Sequence, residues 1–330
     1  MNVSASDPFG EHAQAQFRAR FSVLGGDFTV VSSDRALLDL ALEAFGGLPR
    51  HRLEGKSHRF TVRLVRTVHS KPWPSGRVPP PPAAWAGSGL LGASVGAGSF
   101  AVMDVAASRA LICVSDALLR HRYHTRYELI ELTFLTLAAR AQALVPLHAG
   151  CVGAAGNGVL LMGASGSGKS TLAMHAFADG MQLLSEDSAF VALDGRRVTG
   201  VSNYLHLGRQ ALRLLPSQAL RRAVERSPLI ERRSGARKFE VDLRQLDGKL
   251  ARTPLRLAAT VFLSRKPARR EPLRALGRDA LLARLRREQP YASARPNWAA
   301  FEKLIANVRA YELRRTDPEA AVRQLRLLLR

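Results

Sequence analysis

Apolar and polar positions alternate through Phe21-Ser22-Val23-Leu24 and again through Asp27-Phe28-Thr29-Val30-Val31, which predicts two short strands. Ser33 or Asp34 then caps a helix over 36–45 that stops at Gly46-Gly47, and a further strand falls at 59–65. The stretch 71–87 carries Pro72, Pro74 and Pro79 to Pro82. Proline has no amide to give to a ladder, so this stretch reads as an exposed, partly polyproline loop. Strands over 99–105 and 109–115 follow. Thr125, with Glu128 three residues on, then has the form of a capping box. Ile130, Phe134, Leu137 and Ala141 recur at helical spacing and bury one face, with Glu131 and Arg140 on the wet side.

The next stretch carries chemistry. Val159-Leu160-Leu161-Met162 is a short buried strand that runs into Gly163-Ala164-Ser165-Gly166-Ser167-Gly168-Lys169-Ser170, which fits G-x-x-x-x-G-K-[ST] at every defined position. Thr171 and the residues after it continue as a helix closed by Gly180. Glycines at these places let successive amides point at phosphate oxygens, and the helix start adds its positive end. Gly163 to Thr171 are therefore the candidate nucleotide contacts, with Lys169 on the β- and γ-phosphates and Ser170 as a magnesium oxygen ligand. Upstream, Asn157-Gly158 is a tight-turn pair, so an antiparallel hairpin feeds the loop. Downstream, a strand over 181–185 ends in Glu186-Asp187. Beside bound phosphates one of these carboxylates can hold Mg²⁺ while the other takes a proton. The plainer alternative is a solvated acidic turn.

The chain has 330 residues, of which 46% are apolar, so a disordered chain is excluded and one large or two ordinary domains fit. Its formal charge of +22 points to an anionic partner, although arginine simply tolerated on a solvated surface would give the same sum. Aromatics are only 6% and no nucleic-acid reading motif occurs, so no specific nucleic acid is expected. Cys113 and Cys151 lie in apolar surroundings and read as reduced thiols. Met1 to Gln16 carry Asp7 and Glu11 and no apolar core, and no run reaches the length of a membrane span, so neither a secretory signal nor a transmembrane segment is expected and a cytoplasmic protein is. His121, His124, His175 and His206 lack metal-ligand spacing. No Leu-Ser-Gly-Gly-Gln transporter signature and no Asn-Lys-x-Asp guanine reader accompanies the loop. In the cationic stretch 209–270, a loop at 232–238, broken at Ser234-Gly235, places Arg237 and Lys238 as candidate phosphate contacts. The C-terminal helices lie around 282–285 and over 320–329, the latter capped by Asp317-Pro318.

His148 stands twenty-one residues before Lys169, and Glu186 and Asp187 stand seventeen and eighteen after it. With the hairpin and the glycine loop, this set resembles the HPr kinase/phosphorylase family, and more closely its HPr-kinase-related branch, over about residues 145–200. The closing stretch 311–329 is in the manner of that branch. The resemblance implies an α/β fold with a phosphoenolpyruvate-carboxykinase-like P-loop kinase core (124–330) behind a smaller N-terminal α/β domain (1–123). It also implies ATP- and Mg²⁺-dependent phosphorylation of a protein serine. By it, Asp187 is the proton acceptor, His148 its partner, Lys169 the phosphate cation and Ser170 the metal ligand, with Glu186 replacing the family's usual aspartate. The family's second signature has no counterpart, and no Asp or Glu occurs from Gly195 through Val224. HPr and phosphorolysis are accordingly not expected. An acidic protein or peptide, such as a ribosomally made precursor, is the expected acceptor, and an oligomer is compatible. A small-molecule phosphotransferase and a nucleotide-binding regulator without transfer activity are the alternatives.

Overall fold

The structure, a computed structural model, describes residues 16–54, 57–67, 78–96, 98–268 and 270–330. It is a mixed α/β chain that divides into two compact units. One takes in the described residues of 1–21, 26–46 and 58–141, the other those of 22–25, 47–57 and 142–330. The helical stretch after Thr125 therefore belongs with the first set of strands and not with the glycine loop.

The first unit is built on a seven-stranded sheet in the order Phe17–Val23, Gly26–Ser32, Arg59–Thr67, Arg109–Ser115, Phe100–Asp104, Leu90–Ser94, Ala83–Gly87. Its helix Arg35–Phe45 starts on Asp34, whose carboxylate accepts from the amides of Ala36 and Leu37. The alternation along the strands sends Phe28 and Phe60 to one face, where they stack at 4.5 Å; Phe134 lies 4.8 Å from Phe28 and 4.9 Å from Phe45.

Three expectations are corrected here. Of the proline-rich stretch, 71–77 lie outside the described residues, but Ala83–Gly87 is an exposed edge strand paired antiparallel with Leu90–Ser94. The prolines end at Pro82, so the next five residues keep their amides and can pair. The capping box does not form: Thr125 lies inside a helical stretch, and its hydroxyl donates to the Leu118 and His121 carbonyls at 2.7 and 3.1 Å. Residues Thr125–Glu131 wind as a π-helix before the α-helix Leu132–Ala141. That wider turn brings residues five apart onto one face. Glu131 is consequently not wet; it is buried and paired with Arg126.

The second unit holds a ten-stranded sheet with the central order Lys249–Leu250, Gln182–Ser185, Gly150–Ala154, Asn157–Met162, Leu255–Pro267, Arg197–Gly200, Ala189–Ala192, Val145–Leu147. Arg309–Arg315 pairs parallel with Leu255–Pro267. A separate three-stranded sheet runs Tyr204–Gly208, Arg237–Asp242, Leu229–Glu231. Val159, Leu160, Leu161 and Met162 are fully buried, as a strand covered on both faces must be. The helices Lys169–Ala178 and Pro318–Leu327 share one core cluster with the three-stranded sheet, and Arg278–Glu288 and Trp298–Ile305 share another with Val145, Leu147 and Ala149. Asp317 caps the last helix, accepting from Ala320 N at 3.0 Å. Both cysteines are buried, and among the described residues no helix is long and apolar enough to cross a membrane.

Candidate functional site

The strand entering the glycine loop is one arm of an antiparallel hairpin, with Asn157 opposite Ala154 and Gly158 opposite Gly153. The tight turn sits two residues earlier than Asn157-Gly158. Ala155 and Gly156, at φ 49° and 78°, make it, as a type I′ connection requires. Gly158 is instead a strand residue where a Cβ would stand 3.0 Å from the Leu255 side chain and 3.2 Å from Cys151 Sγ.

Past Met162 the chain turns through Gly163, Gly166 and Gly168, all at positive φ, and Lys169 opens the helix. A Cβ on Gly163 would meet Ser167 Oγ at 2.8 Å. Lys169 is buried, and its Nζ donates to the Gly163 carbonyl at 2.6 Å, closing the loop on itself. Burial pulls the Lys169 ammonium below its ordinary pKa and Lys238 adds to the fall, against Asp187, Glu186 and Glu288, which favour the charge. Arg265, from the neighbouring parallel strand, donates to the Ser165 carbonyl at 2.7 Å.

The acidic pair reaches the same place by sheet register. Ser185 stands opposite Cys151, and the Ser185 hydroxyl closes the following turn, donating to Ser188 O at 2.7 Å and accepting from Ser188 N at 3.1 Å. A Cβ on Gly150 would lie 2.9 Å from the Glu186 carbonyl, so only glycine lets the hairpin start this close to the pair. Asp187 Oδ1 is then 3.0 Å from His148 Nδ1, on a half-exposed imidazole. Glu186 points inward: it accepts from the Ser170 hydroxyl, and its other oxygen lies 3.5 Å from His206 Nδ1. His206 Nε2 in turn is 3.2 Å from Glu240 Oε1, because these residues face each other across the small sheet. Burial alone would raise Glu186, but His206, Ser170 and Arg232 hold it below the usual carboxylate range. For His206 burial acts downward, and the two glutamates outweigh it and raise the imidazole.

His148, Lys169, Ser170, Glu186 and Asp187 are thus assembled at one end of the large sheet. Arg237 is exposed on the hairpin, whereas Lys238 is half-buried and its charge acts on Lys169. The expected break at Ser234-Gly235 is a closed turn, with Arg232 N donating to Ala236 O at 2.9 Å and Gly235 N to Arg232 O at 2.8 Å. Sequence spacing sets His206 aside and does not single out Glu240, Glu288 or Gln289. Only their place in the sheets and at a helix end reveals them, and no spacing rule links them to the loop. Among the described residues no group of three or more His, Cys, Asp or Glu forms a metal cluster. Ser170 and Glu186 nevertheless supply a hydroxyl and a carboxylate in contact, the hard oxygen pair that suits Mg²⁺ completed by phosphate and water.

No family model matches the chain, and no curated protein matches it. Among solved structures it is similar in part to the Hpr(Ser) kinase/phosphatase from Coxiella burnetii, at 13% identity over 55% of this chain and 94% of that one, with a TM-score of 0.31.

Proposed function

We propose that this protein is an ATP- and Mg²⁺-dependent kinase whose acceptor is a serine hydroxyl of a protein or peptide. The observation that carries this reading is the His148–Asp187 contact at 3.0 Å, next to a glutamate that touches the serine of the glycine loop. A phosphate-binding loop alone would serve a motor or a switch equally well. A paired imidazole and carboxylate within reach of the transferred group is what hydroxyl activation needs.

In this reading the loop amides from Gly163 to Thr171 and the Lys169 ammonium hold the triphosphate, and Ser170 and Glu186 hold the magnesium ion. When bound, the metal neutralises charge on the phosphates. The serine oxygen forms a bond to the γ-phosphorus as the bond to the ADP oxygen breaks, and Asp187, oriented by His148, takes the hydroxyl proton. Asp187 is half-exposed, so an acceptor side chain can approach it from solvent. Lys238 adds positive charge on the Lys169 side. The cationic surface suits an acidic acceptor.

The test is incubation with γ-labelled ATP, Mg²⁺ and an extract of the native cell, with Lys169→Ala in parallel and mass spectrometry of the labelled species. The expected outcome is a phosphoserine protein or peptide that loses its label in the variant. Label on a small metabolite alone would replace this reading with a small-molecule phosphotransferase. Nucleotide binding with no transfer would make the protein a regulator.

A further inference from the structure

His148 is half-exposed, so packing does not hold its ring, and the direction in which it points is set by its backbone. That backbone lies in a tight bend between Val145–Leu147 and Gly150–Ala154, with Ala149 N donating to Leu147 O at 2.9 Å. The bend takes His148 N and O out of both ladders. Gln289 supplies what the ladders do not: its Oε1 accepts from His148 N at 2.8 Å, and its Nε2 donates to His148 O at 3.1 Å. One primary amide thus satisfies both peptide groups of one residue, as an adjacent strand would.

Gln289 is itself fixed. It is buried, and it falls between the helices Arg278–Glu288 and Pro290–Ser293, where the following proline disfavours further helical winding. Its own amide bonds Leu285 O at 2.8 Å, and its carbonyl accepts from Ser293 N at 2.9 Å. Leu285 and Ala292, on either side, belong to the core cluster that holds Leu147 and Ala149. The preceding residue, Glu288, is tied to Arg284 at 3.0 Å and its charge acts on Lys169. A single helix end therefore holds the His148 peptide by hydrogen bonds and acts on the Lys169 ammonium through charge.

We infer that Gln289 is a positioning residue that holds His148 against Asp187, deepening the kinase reading above and resting on it only for the role of His148. The test uses the full chain with ¹⁵N-histidine labelling and nuclear magnetic resonance, the His148 signals being assigned through His148→Gln. In Gln289→Met, which keeps length and loses both hydrogen bonds, the His148 amide should exchange roughly tenfold faster, the size a lost buried hydrogen bond gives. The ring signals should shift in the same variant. In Gln289→Glu, which keeps an acceptor for the His148 amide, protection should return while the ring signals stay shifted. Unchanged His148 exchange and ring signals in both folded variants would overturn the inference, even if melting fell. Should Gln289→Met not fold, unchanged ring signals in Gln289→Glu would overturn it alone. The result is independent of transfer: a chain that transfers no phosphate yet shows these changes would keep the clamp and lose the kinase.

Discussion

Arg126 and Glu131 are buried charges within one helical stretch, whereas Lys169, Glu186, His206 and Glu240 are buried ionisable groups brought in by four separate elements. The first pair needs only a local widening of the helix to meet, and it joins opposite charges. The second set gathers an ammonium, two carboxylates and an imidazole, and for Lys169, Glu186 and His206 burial and neighbouring groups pull the pKa in opposing directions. Ionisable groups collected from distant elements are costly to assemble and are the pattern of a site. A neighbouring ion pair inside one element is the pattern of a fold.

The sharpest way to break this comparison is Asp187→Asn. It should lower phosphoryl transfer by roughly 10²–10⁴-fold, the contribution of a positioned base, and leave nucleotide affinity unchanged. Single-turnover transfer to the acceptor, beside a fluorescent-nucleotide titration, reads both, and an unimpaired transfer rate would strip Asp187 of its role. Next in size is Glu131→Leu, which leaves the Arg126 charge buried without its paired carboxylate. It should cost about 3–5 kcal/mol in chemical denaturation, and the double variant with Arg126→Met should recover much of that loss. If Glu131→Leu instead left stability intact and weakened nucleotide binding, the helical pair would belong with the site.

The smallest effect concerns His51, buried in the second unit with Nδ1 2.7 Å from Thr199 Oγ1 and Nε2 2.9 Å from the Ala251 carbonyl. Burial lowers its pKa below the usual 6.5, against a smaller upward pull from that carbonyl. Above that value both folded and unfolded chains are neutral at His51. Below it the unfolded chain takes up the proton first, so stability falls as pH drops, until the folded imidazole is itself protonated. His51→Gln should flatten the dependence of urea midpoints on pH just below neutrality. An unaltered slope would show that His51 contributes none of it.

Local chemistry made much of this legible. The loop 163–170 between a buried strand and a helix, the hairpin before it and the acidic pair after it are contiguous in sequence, and backbone geometry ties each to its neighbour. The turn position slipped because Asn157-Gly158 has the preferred composition, while Ala155-Gly156 is where the register closes. Thr125 looked like a cap because a hydroxyl can serve a helix start or bond back to earlier carbonyls, and spacing does not separate the two. His206 and Glu240 met only through antiparallel pairing across thirty-four residues, and Gln289 reached His148 across one hundred and forty-one. Contacts of that range carry no periodicity to read.

His206 also has a mechanical meaning. With one ring nitrogen toward Glu186 on the large sheet and the other toward Glu240 on the small one, it works as a rivet between two plates. Pulling the plates apart would leave ionisable groups facing water or each other. The arginine-bearing hairpin 229–242 is thereby tied through one imidazole to the carboxylate beside Ser170, so a displacement of the hairpin would pull on that carboxylate.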